Sequence, residues 1–393
     1  MWSTIMSLLI AGTVAGLIYL YTRFQRFGSI RKIAGGSRKL RRLLALLPVF
    51  LLLGFILINR MNAVVILLHL MLFWLIGDFI TWVIRRIQRT GKTGKPRENV
   101  EKDGDRESGD TEKGDGSEDR RFHPYITGIA VLLFTAVYLC IGWYLAHGLF
   151  RTEYDLTTDK ELGQDMLKVV LIADSHIGAV FDGEGFAERM KKIQEEEPDI
   201  LVISGDYVDS STNREDMIRS CQALGEFRTS YGIYYVFGNH DRGRNYGSFT
   251  YDELKEELRK NHVTVLEDET ALVHDAFYVV GRMDKSVRDR KSASEMLAGL
   301  DPGRYQIMLD HQPGDYEAEA AAGVDLVLSG HTHGGQMIPI NKVGEWIGVN
   351  DRTYGYEKRQ NTEFIVTSGI ADWALWFKTG TKSEYVVLNL KGK

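Results

Sequence analysis

The residues with the most chemical content are carboxylates, imidazoles and one amide at the ends of short β-branched runs. They are Asp174 and His176 at "MLKVVLIAD", Asp206 and Asp209 at "DILVISGD", Asn239, His240 and Asp241 at "GIYYVFGNHD", His311 at "YQIMLDH", and His331 and His333 at "GVDLVLSGH". Divalent Mn, Fe and Zn accept such a mixed set of nitrogen and oxygen donors. The set is too large for one ion and suits two ions that share a carboxylate. Two ions about 3.5–4 Å apart can polarise a phosphoryl oxygen and lower the pKa of a bridging water, which then attacks phosphorus.

The elements that must position these side chains follow from the alternation of the pattern. Helical stretches separate the first runs and are expected at Phe186–Glu197, Glu215–Phe227 and Tyr251–Lys260. Strands that alternate with helices predict an α/β sheet, and in such sheets ligands collect at the carboxyl ends of the strands. Gly205, Gly238 and Gly330 each stand beside one of the polar residues. We expect sharp turns or close backbone approach there, which glycine permits at low steric cost.

Five ordered motifs carry a family resemblance. From about Leu167 to Lys391, "ADSHIG", "SGDYVD", "GNHD", "LDHQP" and "GHTHGGQ" resemble the blocks of the calcineurin-like metallophosphoesterases. The resemblance implies a four-layer αββα sandwich, two divalent metal ions (Mn, Fe or Zn) and hydrolysis of phosphoric esters by a metal-bridged hydroxide. Together with the apolar N-terminal region, "GHTHGGQ" looks like the bacterial membrane-associated metallophosphoesterases.

The resemblance also implies roles for single residues. The expected metal ligands are Asp174, His176 and His333 for one ion, Asn239, His311 and His331 for the other, and Asp206 as the bridge. His240 would face the leaving group or a phosphoryl oxygen, and Asp209 would hydrogen-bond and orient it. An imidazole with a carboxylate behind it is a plausible general acid or electrostatic stabiliser.

The sequence departs from some relatives in ways that bear on the substrate. Ser210 stands where protein Ser/Thr phosphatases of the superfamily carry an arginine, and Asp209 stands where a tyrosine would suggest a purple acid phosphatase. Relatives often carry an arginine near Phe377–Lys378. Lys378 or Lys382 could replace it as the contact for a substrate anion. The aromatic cluster Trp373–Phe377 is expected to pack in the core, with a membrane-facing or lipid-holding rim as the alternative.

The first 150 residues have a different composition from the rest. They contain four apolar runs, at roughly Trp2–Tyr21, Leu43–Ile58, Ala63–Ile84 and Ile126–Phe150. A membrane span takes about 20 mainly apolar residues, so the second run, which contains Pro48, is short and is expected to tilt or to form a hairpin with the third. Met1–Leu8 has no charged side chain, which favours a retained helix over a cleaved signal peptide. Asp78 lies in the third run near Arg85, and a paired or snorkelling role is expected.

Charges between the runs predict the topology. Arg23 to Arg42 holds eight Lys or Arg and no acid, and the third run is followed by Arg85, Arg86 and Arg89. Positive loops stay cytoplasmic, so the amino terminus and everything after Phe150 are expected outside the cytoplasm. "EKDGDRESGDTEKGDGSEDR" has no apolar residue and is expected to be disordered. The expected organisation is membrane helices and a basic loop over 1–84, a charged linker over 85–122, a fourth membrane helix over 123–151 and the phosphoesterase domain over 152–393.

The sequence therefore predicts a multi-pass membrane protein with an extracytoplasmic phosphoesterase domain that hydrolyses phosphate mono- or diesters. There are two alternatives. One is a hydrolase whose substrates are lipid-linked diphosphates of the UDP-diacylglucosamine kind, and the other is a non-catalytic metal-binding sensor or scaffold. The net charge of −5, with acidic and basic residues mixed, gives no indication of nucleic-acid binding, and no obligate protein partner is evident. Cys140 and Cys221 are the two cysteines and imply no disulfide framework.

Overall fold

The computed structural model describes residues 2–92, 118–242 and 248–392. The chain divides into two compact units, Met1–Cys140 and Ile141–Lys393. The helices that precede the first strand are α1 (Trp2–Phe24), α2 (Gly28–Ala34), α3 (Arg38–Ile58), α4 (Arg60–Lys92) and α5 (Glu118–His147).

Membrane-spanning character is found in three of these helices. Within the described residues, Arg38–Ile58, Arg60–Gln88 and Ile126–His147 are long and apolar enough to cross a bilayer. The chain is a membrane protein. The run that we expected to be short is part of a helix of 21 residues, because the helix begins at basic residues whose aliphatic stems can extend along apolar surroundings. Helix α1 covers the first apolar run but does not belong to the three.

The helix ends differ from the expected domain boundaries. Helix α4 continues to Lys92 and α5 begins at Glu118, so both ends of the predicted charged linker are helical, and residues 93–117 lie outside the described chain. Helix α5 ends at His147 and a strand begins at Phe150, whereas we expected the helix to reach Phe150. The backbone N–H of Phe150 donates to the carbonyl of Ser383 at 3.0 Å, which joins this residue to a sheet.

The first unit has its own apolar core and a paired intramembrane acid. Leu20, Leu67 and Trp74 are buried in one cluster. The carboxylate of Asp78 lies 2.6 Å from the guanidinium of Arg23 and accepts a hydrogen bond from the Tyr19 hydroxyl at 2.8 Å. Asp78 is therefore paired, as one of the two expected roles, and its partner is Arg23 on another helix.

Among the described residues of the second unit, twelve strands form two six-stranded sheets. The strands are β1 (Phe150–Thr158), β2 (Met166–Ile172), β3 (Ile200–Ser204), β4 (Ile233–Val236), β5 (Val263–Val265), β6 (Glu269–Val273), β7 (Phe277–Gly281), β8 (Gln306–Leu309), β9 (Leu326–Ser329), β10 (Gly355–Arg359), β11 (Thr362–Val366) and β12 (Glu384–Gly392). The first sheet has the order β1-β12-β2-β3-β4-β5 and the second β10-β11-β9-β8-β7-β6. Strands β2 to β5 are mutually parallel, as are β7, β8, β9 and β11.

Helices cover the outer face of each sheet. They are α6 (Gly183–Gln194), α7 (Arg214–Glu226) and α8 (Tyr251–Lys260) for the first sheet and α9 (Ala293–Leu297) and α10 (Tyr316–Ala322) for the second, and a short α11 (Val343–Trp346) follows. Helices α6, α7 and α8 agree with the three predicted stretches to within a few residues. Side chains of Asp182 and Thr250 accept backbone hydrogen bonds at the starts of α6 and α8, which satisfies amide groups that a helix leaves unpaired.

Alternation along the strands builds the layers. On β2, Val169 and Leu171 belong to the apolar cluster that also contains strands of the second sheet, whereas Val170 and Ile172 pack in the cluster with α6 and α7. A third cluster joins the outer face of the second sheet to α9 and α10. Successive strand residues point to opposite faces, so a run that is apolar throughout is buried on both sides. The fold is the four-layer αββα sandwich that the resemblance implied.

Candidate metal centre

The predicted polar residues follow the carboxyl ends of five strands in two sheets. Those after β2, β3 and β4 belong to the first sheet, and those after β8 and β9 belong to the second. The sheets meet here. The Ser204 hydroxyl donates to the carbonyl of Leu328 at 2.9 Å, and Nδ1 of His311 lies 2.8 Å from the carbonyl oxygen of Ser204. Parallel strands end at one edge, so the fold collects donors from both sheets at a single point.

Three groups of possible ligand atoms result, and within each group all atoms lie within 4.8 Å of one another. The groups are Asp174, His176 and His333; Asp206, His311 and His331; and His176, Asp209 and His240. The first group is the set predicted for one ion. The second contains the two histidines predicted for the other ion, His311 and His331, together with the predicted bridge Asp206. Every carboxylate or imidazole of the first sheet that was predicted as a ligand or bridge thus lies beside a histidine of the second sheet.

Asp206 belongs to the second group and also approaches the first. Its Oδ2 is 3.1 Å from Nε2 of His311 and 3.8 Å from Nε2 of His176. Asn239, the remaining predicted ligand, has a buried side-chain oxygen that accepts no hydrogen bond from any described residue. Buried polar atoms are almost always satisfied. The unpaired oxygen of Asn239 and the converging carboxylates fit a divalent cation as the missing partner.

The backbone around the centre is strained where the ligands are presented. Five of the predicted ligands have positive φ: Asp174, His176, Asp206, His331 and His333. Each such conformation costs on the order of 1–3 kcal/mol and is typical of functional sites. Packing against both sheets must hold these residues in place.

Glycine is required at the three predicted positions for two different structural reasons. Gly205 has φ +82°, so it makes the turn that a side chain would resist. Gly238 and Gly330 are needed for close approach: a Cβ on Gly238 would clash with Oδ1 of Asp206, and one on Gly330 would clash with Oδ2 of Asp174. The backbone therefore passes directly against the two carboxylates.

Electrostatics tie the buried acids to the imidazoles. Burial alone would raise the pKa of Asp206, but the charges of His311 and His176 hold that pKa well below its usual range. Burial lowers the pKa of His311, yet the Asp206 carboxylate more than offsets this and raises it well above normal. Burial, and then the charge of His311, lowers the pKa of His331 to about 4. Cation binding here therefore competes with protonation of His311.

His240 and Asp209 lie at the open side of the first group. The backbone N–H of His240 donates to Oδ1 of Asp206 at 2.8 Å, its ring centroid is 4.9 Å from that of His176, and burial lowers its pKa. Oδ2 of Asp209 lies 3.3 Å from Nδ1 of His176, and its Oδ1 accepts a hydrogen bond from the backbone N–H of Ser211 at 2.7 Å. The expected hydrogen bond from Asp209 to His240 stays a prediction.

Sequence reasoning missed a buried pair behind His333. Oδ1 of Asp372 lies 3.2 Å from Nδ1 of His333 and 3.1 Å from Nζ of Lys378, and Asp372 and Lys378 are fully buried. Nζ of Lys378 also donates to the carbonyl of Ser368 at 2.7 Å. Lys378 is therefore a partner of Asp372, and the suggestion that it contacts a substrate anion is wrong. Nζ of Lys382 donates a hydrogen bond to the carbonyl of Arg151 at 3.3 Å.

One further acid in the "GNHD" motif has a structural role. The carboxylate of Asp241 accepts backbone hydrogen bonds from Tyr207 at 2.7 Å, Val208 at 3.0 Å and Gly238 at 2.8 Å. Burial, followed by the charge of Asp206, raises its pKa to about 6. Asp241 fixes the loops that carry Asp206 and Asn239.

Comparisons with known proteins agree with this geometry. Residues 167–335 match the family described as Calcineurin-like phosphoesterase. A metallophosphoesterase of Aquifex aeolicus is 31% identical over 273 residues, which are 66% of this chain and 99% of that protein. One of Campylobacter jejuni is 32% identical over 238 residues, 58% of this chain and 60% of its own length. A bovine "transmembrane protein with metallophosphoesterase domain" is 27% identical over 240 residues, 57% of this chain and 53% of its own length.

Solved structures show weaker likeness. A dimetal phosphatase from Danio rerio has 13% sequence identity and a TM-score of 0.33, with coverage of 51% of this chain and 86% of that one. A protein of Thermus thermophilus has 12% identity and a TM-score of 0.36, with coverage of 53% of this chain and 90% of that one.

Proposed function

Because this chain belongs to the calcineurin-like metallophosphoesterases and hydrolyses phosphoric ester bonds, we propose that it is a membrane-anchored, dinuclear-metal enzyme for phosphate mono- or diesters. The observation that carries the proposal is the convergence of two three-residue donor groups, one of which contains Asp206, whose Oδ2 also lies 3.8 Å from His176 of the other. Histidine and carboxylate donors together favour Mn, Fe or Zn over Mg or Ca.

The proposed ligands of one ion are Asp174, His176 and His333. Those of the other are Asn239, His311 and His331. Asp206 binds both, which is supported by the distances of its Oδ2 from His311 and His176. In such a pair the ions polarise a phosphoryl oxygen and lower the pKa of bound water. Every carboxylate and imidazole among the predicted ligands lies in one of the donor groups, and Asn239 offers a buried unpaired oxygen, which favours catalysis over a non-catalytic scaffold.

His240 is proposed to act on the leaving group. It is half-buried and borders the first donor group, and its backbone is fixed to Asp206. Its ring can therefore reach a substrate oxygen while its position stays coupled to the metal centre. A positioned imidazole can transfer a proton to a departing oxygen.

The membrane helices are proposed to cross the bilayer several times and to place the catalytic unit outside the cytoplasm. The basic segments between the helices support this orientation. Reporter fusions at Gly104 and Lys393 should give opposite signals, with Gly104 in the cytoplasm. Matching signals would show that one of the expected helices does not span.

The substrate class is tested with the full-length protein, purified in detergent and supplied with Mn, Fe or Zn. It is assayed on p-nitrophenyl phosphate, bis-p-nitrophenyl phosphate and a lipid-linked diphosphate. We expect hydrolysis of at least one ester in a metal-dependent manner, abolished by Asp206→Asn. Absence of hydrolysis of all three by protein that holds two ions per chain would contradict the proposed function.

A further inference from the structure

Residues 338–349 expose an unusual amount of apolar surface next to the metal centre. The exposed large side chains are Ile338, Ile340, Val343, Trp346, Ile347 and Val349. Trp346 is 72% exposed, Ile340 63% and Ile347 62%. Single exposed apolar residues are ordinary, but a contiguous group of this kind marks an interaction surface. We call residues 338–349 the apolar lip.

The base of the lip lies at the level of the last turns of helix α5. The backbone N–H of Lys378 donates to the carbonyl of Gly142 at 2.9 Å, and Thr379 packs on the same glycine. Thr379 in turn donates its backbone N–H to the carbonyl of Gln336 at 2.9 Å and accepts one from Ile338 at 3.1 Å through its hydroxyl. One residue, Thr379, therefore joins the start of the lip to α5.

The contact point on α5 falls inside its apolar stretch. That stretch is Ile126–His147, and Gly142 precedes its end by five residues, or about 7.5 Å at 1.5 Å per residue. The loop that carries Lys378 and Thr379 thus reaches past the end of the spanning segment. The lip, hydrogen-bonded to this loop, is therefore joined to α5 within its apolar stretch.

The lip is also continuous with the metal centre. It follows His333 by a few residues, and the hydroxyl of Thr381 donates to the carbonyl of His333 at 3.3 Å. The ring of Trp373, which is partly exposed, lies 5.4 Å from that of His240. Aromatic and aliphatic side chains thus border the site.

We propose that the apolar lip inserts into the membrane interface and presents the metal centre to phosphate esters carried by membrane lipids. Continuity with the spanning helix favours a bilayer over a second protein as the occupant, and tryptophan with branched aliphatic residues is the composition that binds such an interface. The choice of substrate rests on the proposed function, whereas the placement of the lip does not.

The placement is tested by fluorescence in the full-length protein. Ile347→Cys carries an NBD label in a Cys140→Ser background, since Cys221 is buried, and the protein is reconstituted in phosphatidylethanolamine–phosphatidylglycerol vesicles. Leu272→Cys, an exposed apolar position on the edge strand β6, is the matched control. We expect blue-shifted emission and quenching by nitroxide-bearing lipids at position 347 only. Equal, water-like emission at both positions would overturn the placement.

The substrate class is tested with the double variant Trp346→Asp/Ile347→Asp, with Leu272→Asp as control. Turnover of dioleoyl phosphatidic acid in phosphatidylcholine vesicles should fall about tenfold or more, since interfacial binding scales with buried apolar area. Turnover of p-nitrophenyl phosphate should stay within about twofold, because the lip lies outside the proposed ligand set.

Three distinguishable results of this assay would be contradictory, the first two to lipid presentation and the third to the proposed function. Equal loss on both substrates would mean that the lip only supports the fold. A wild-type enzyme that hydrolyses p-nitrophenyl phosphate but not phosphatidic acid would refute lipid presentation. Hydrolysis of neither of these monoesters, nor of bis-p-nitrophenyl phosphate and the lipid-linked diphosphate, by protein with two ions would refute the proposed function, and the fluorescence result would still decide the placement.

Discussion

The two sheets of the catalytic unit contribute different chemistry to one site. Predicted ligands of the first sheet include both carboxylates and the amide, namely Asp174, Asp206 and Asn239, in addition to His176. Those of the second sheet are all imidazoles, His311, His331 and His333. Neither sheet alone offers a complete set for either ion. Metal binding in this arrangement therefore joins the two halves of the sandwich at the end where the strands stop.

The difference also divides two tasks. Carboxylates of the first sheet supply the negative charge that attracts a cation. Burial and the charge of His311 bring the pKa of His331 to about 4, so this second-sheet ligand is ready to bind as a neutral imidazole near pH 7. Imidazoles select transition metals over the harder Mg and Ca. Variants of first-sheet and second-sheet ligands should therefore have different effects on how strongly a cation is bound and on which metal is preferred.

The largest effect should come from the first sheet. Asp206→Asn removes the carboxylate proposed to bridge the ions, so both metals should be lost and hydrolysis should become undetectable. His333→Ala, on the second sheet, is the matched control and should keep one ion. Elemental analysis of both variants distinguishes them. If the Asp206→Asn protein kept two ions, Asp206 could not be the bridging ligand.

His240→Ala tests a residue of the first sheet that is not a proposed ligand. Metal content should stay near two ions, while turnover should fall by roughly 10²–10⁴-fold, the range for a positioned acid or base. The loss should shrink for esters with good leaving groups such as p-nitrophenolate, because these need little protonation. Loss of a metal, or equal losses on good and poor leaving groups, would rule out the leaving-group role.

Asp372→Asn tests the support behind a second-sheet ligand. The carboxylate of Asp372 lies 3.2 Å from Nδ1 of His333 and 3.1 Å from Nζ of Lys378, so we expect it to help to orient the imidazole. Weakening this support should reduce metal affinity by about 10–100-fold, as is typical of groups that orient metal-bound histidines. Titration with Zn or Mn measures the affinity, and circular dichroism checks the fold. Unchanged affinity in a folded variant would make the pair purely structural.

The smallest effect concerns pH. Asp206 raises the pKa of His311 despite burial, so this imidazole keeps its proton to a higher pH than an ordinary histidine. The ion binds only the deprotonated ring, and its affinity should therefore fall as the pH drops. One displaced proton gives a change of about tenfold per pH unit. Calorimetry in buffers of different ionisation enthalpy should detect the released proton, and its absence would contradict the coupling.

The sequence was sufficient for the parts of the site that depend on strand ends. Polar residues after apolar runs located every member of the three donor groups, because parallel strands bring their carboxyl ends together. The Asp372–Lys378 pair could not be found in this way. It arises from a loop after β11 folding back behind His333, and no local pattern marks a buried lysine as the partner of an acid six residues earlier.

The helical region shows the same limit. Hydropathy located all of its long helices, but it placed the start of α3 at Leu43 and not at Arg38, because it counts basic residues at a helix end as loop. The paired role expected for Asp78 is found, but hydropathy could not name the partner, because helix packing brings Arg23 from another helix to the carboxylate.

Metal content of the wild-type protein tests the central claim most directly. Full-length protein is purified, saturated with Mn or Zn, freed of unbound ion and analysed by inductively coupled plasma mass spectrometry against protein concentration. If both sheets complete two sites around Asp206, the protein should hold close to two ions per chain. A single ion per chain at saturation would contradict the dinuclear centre.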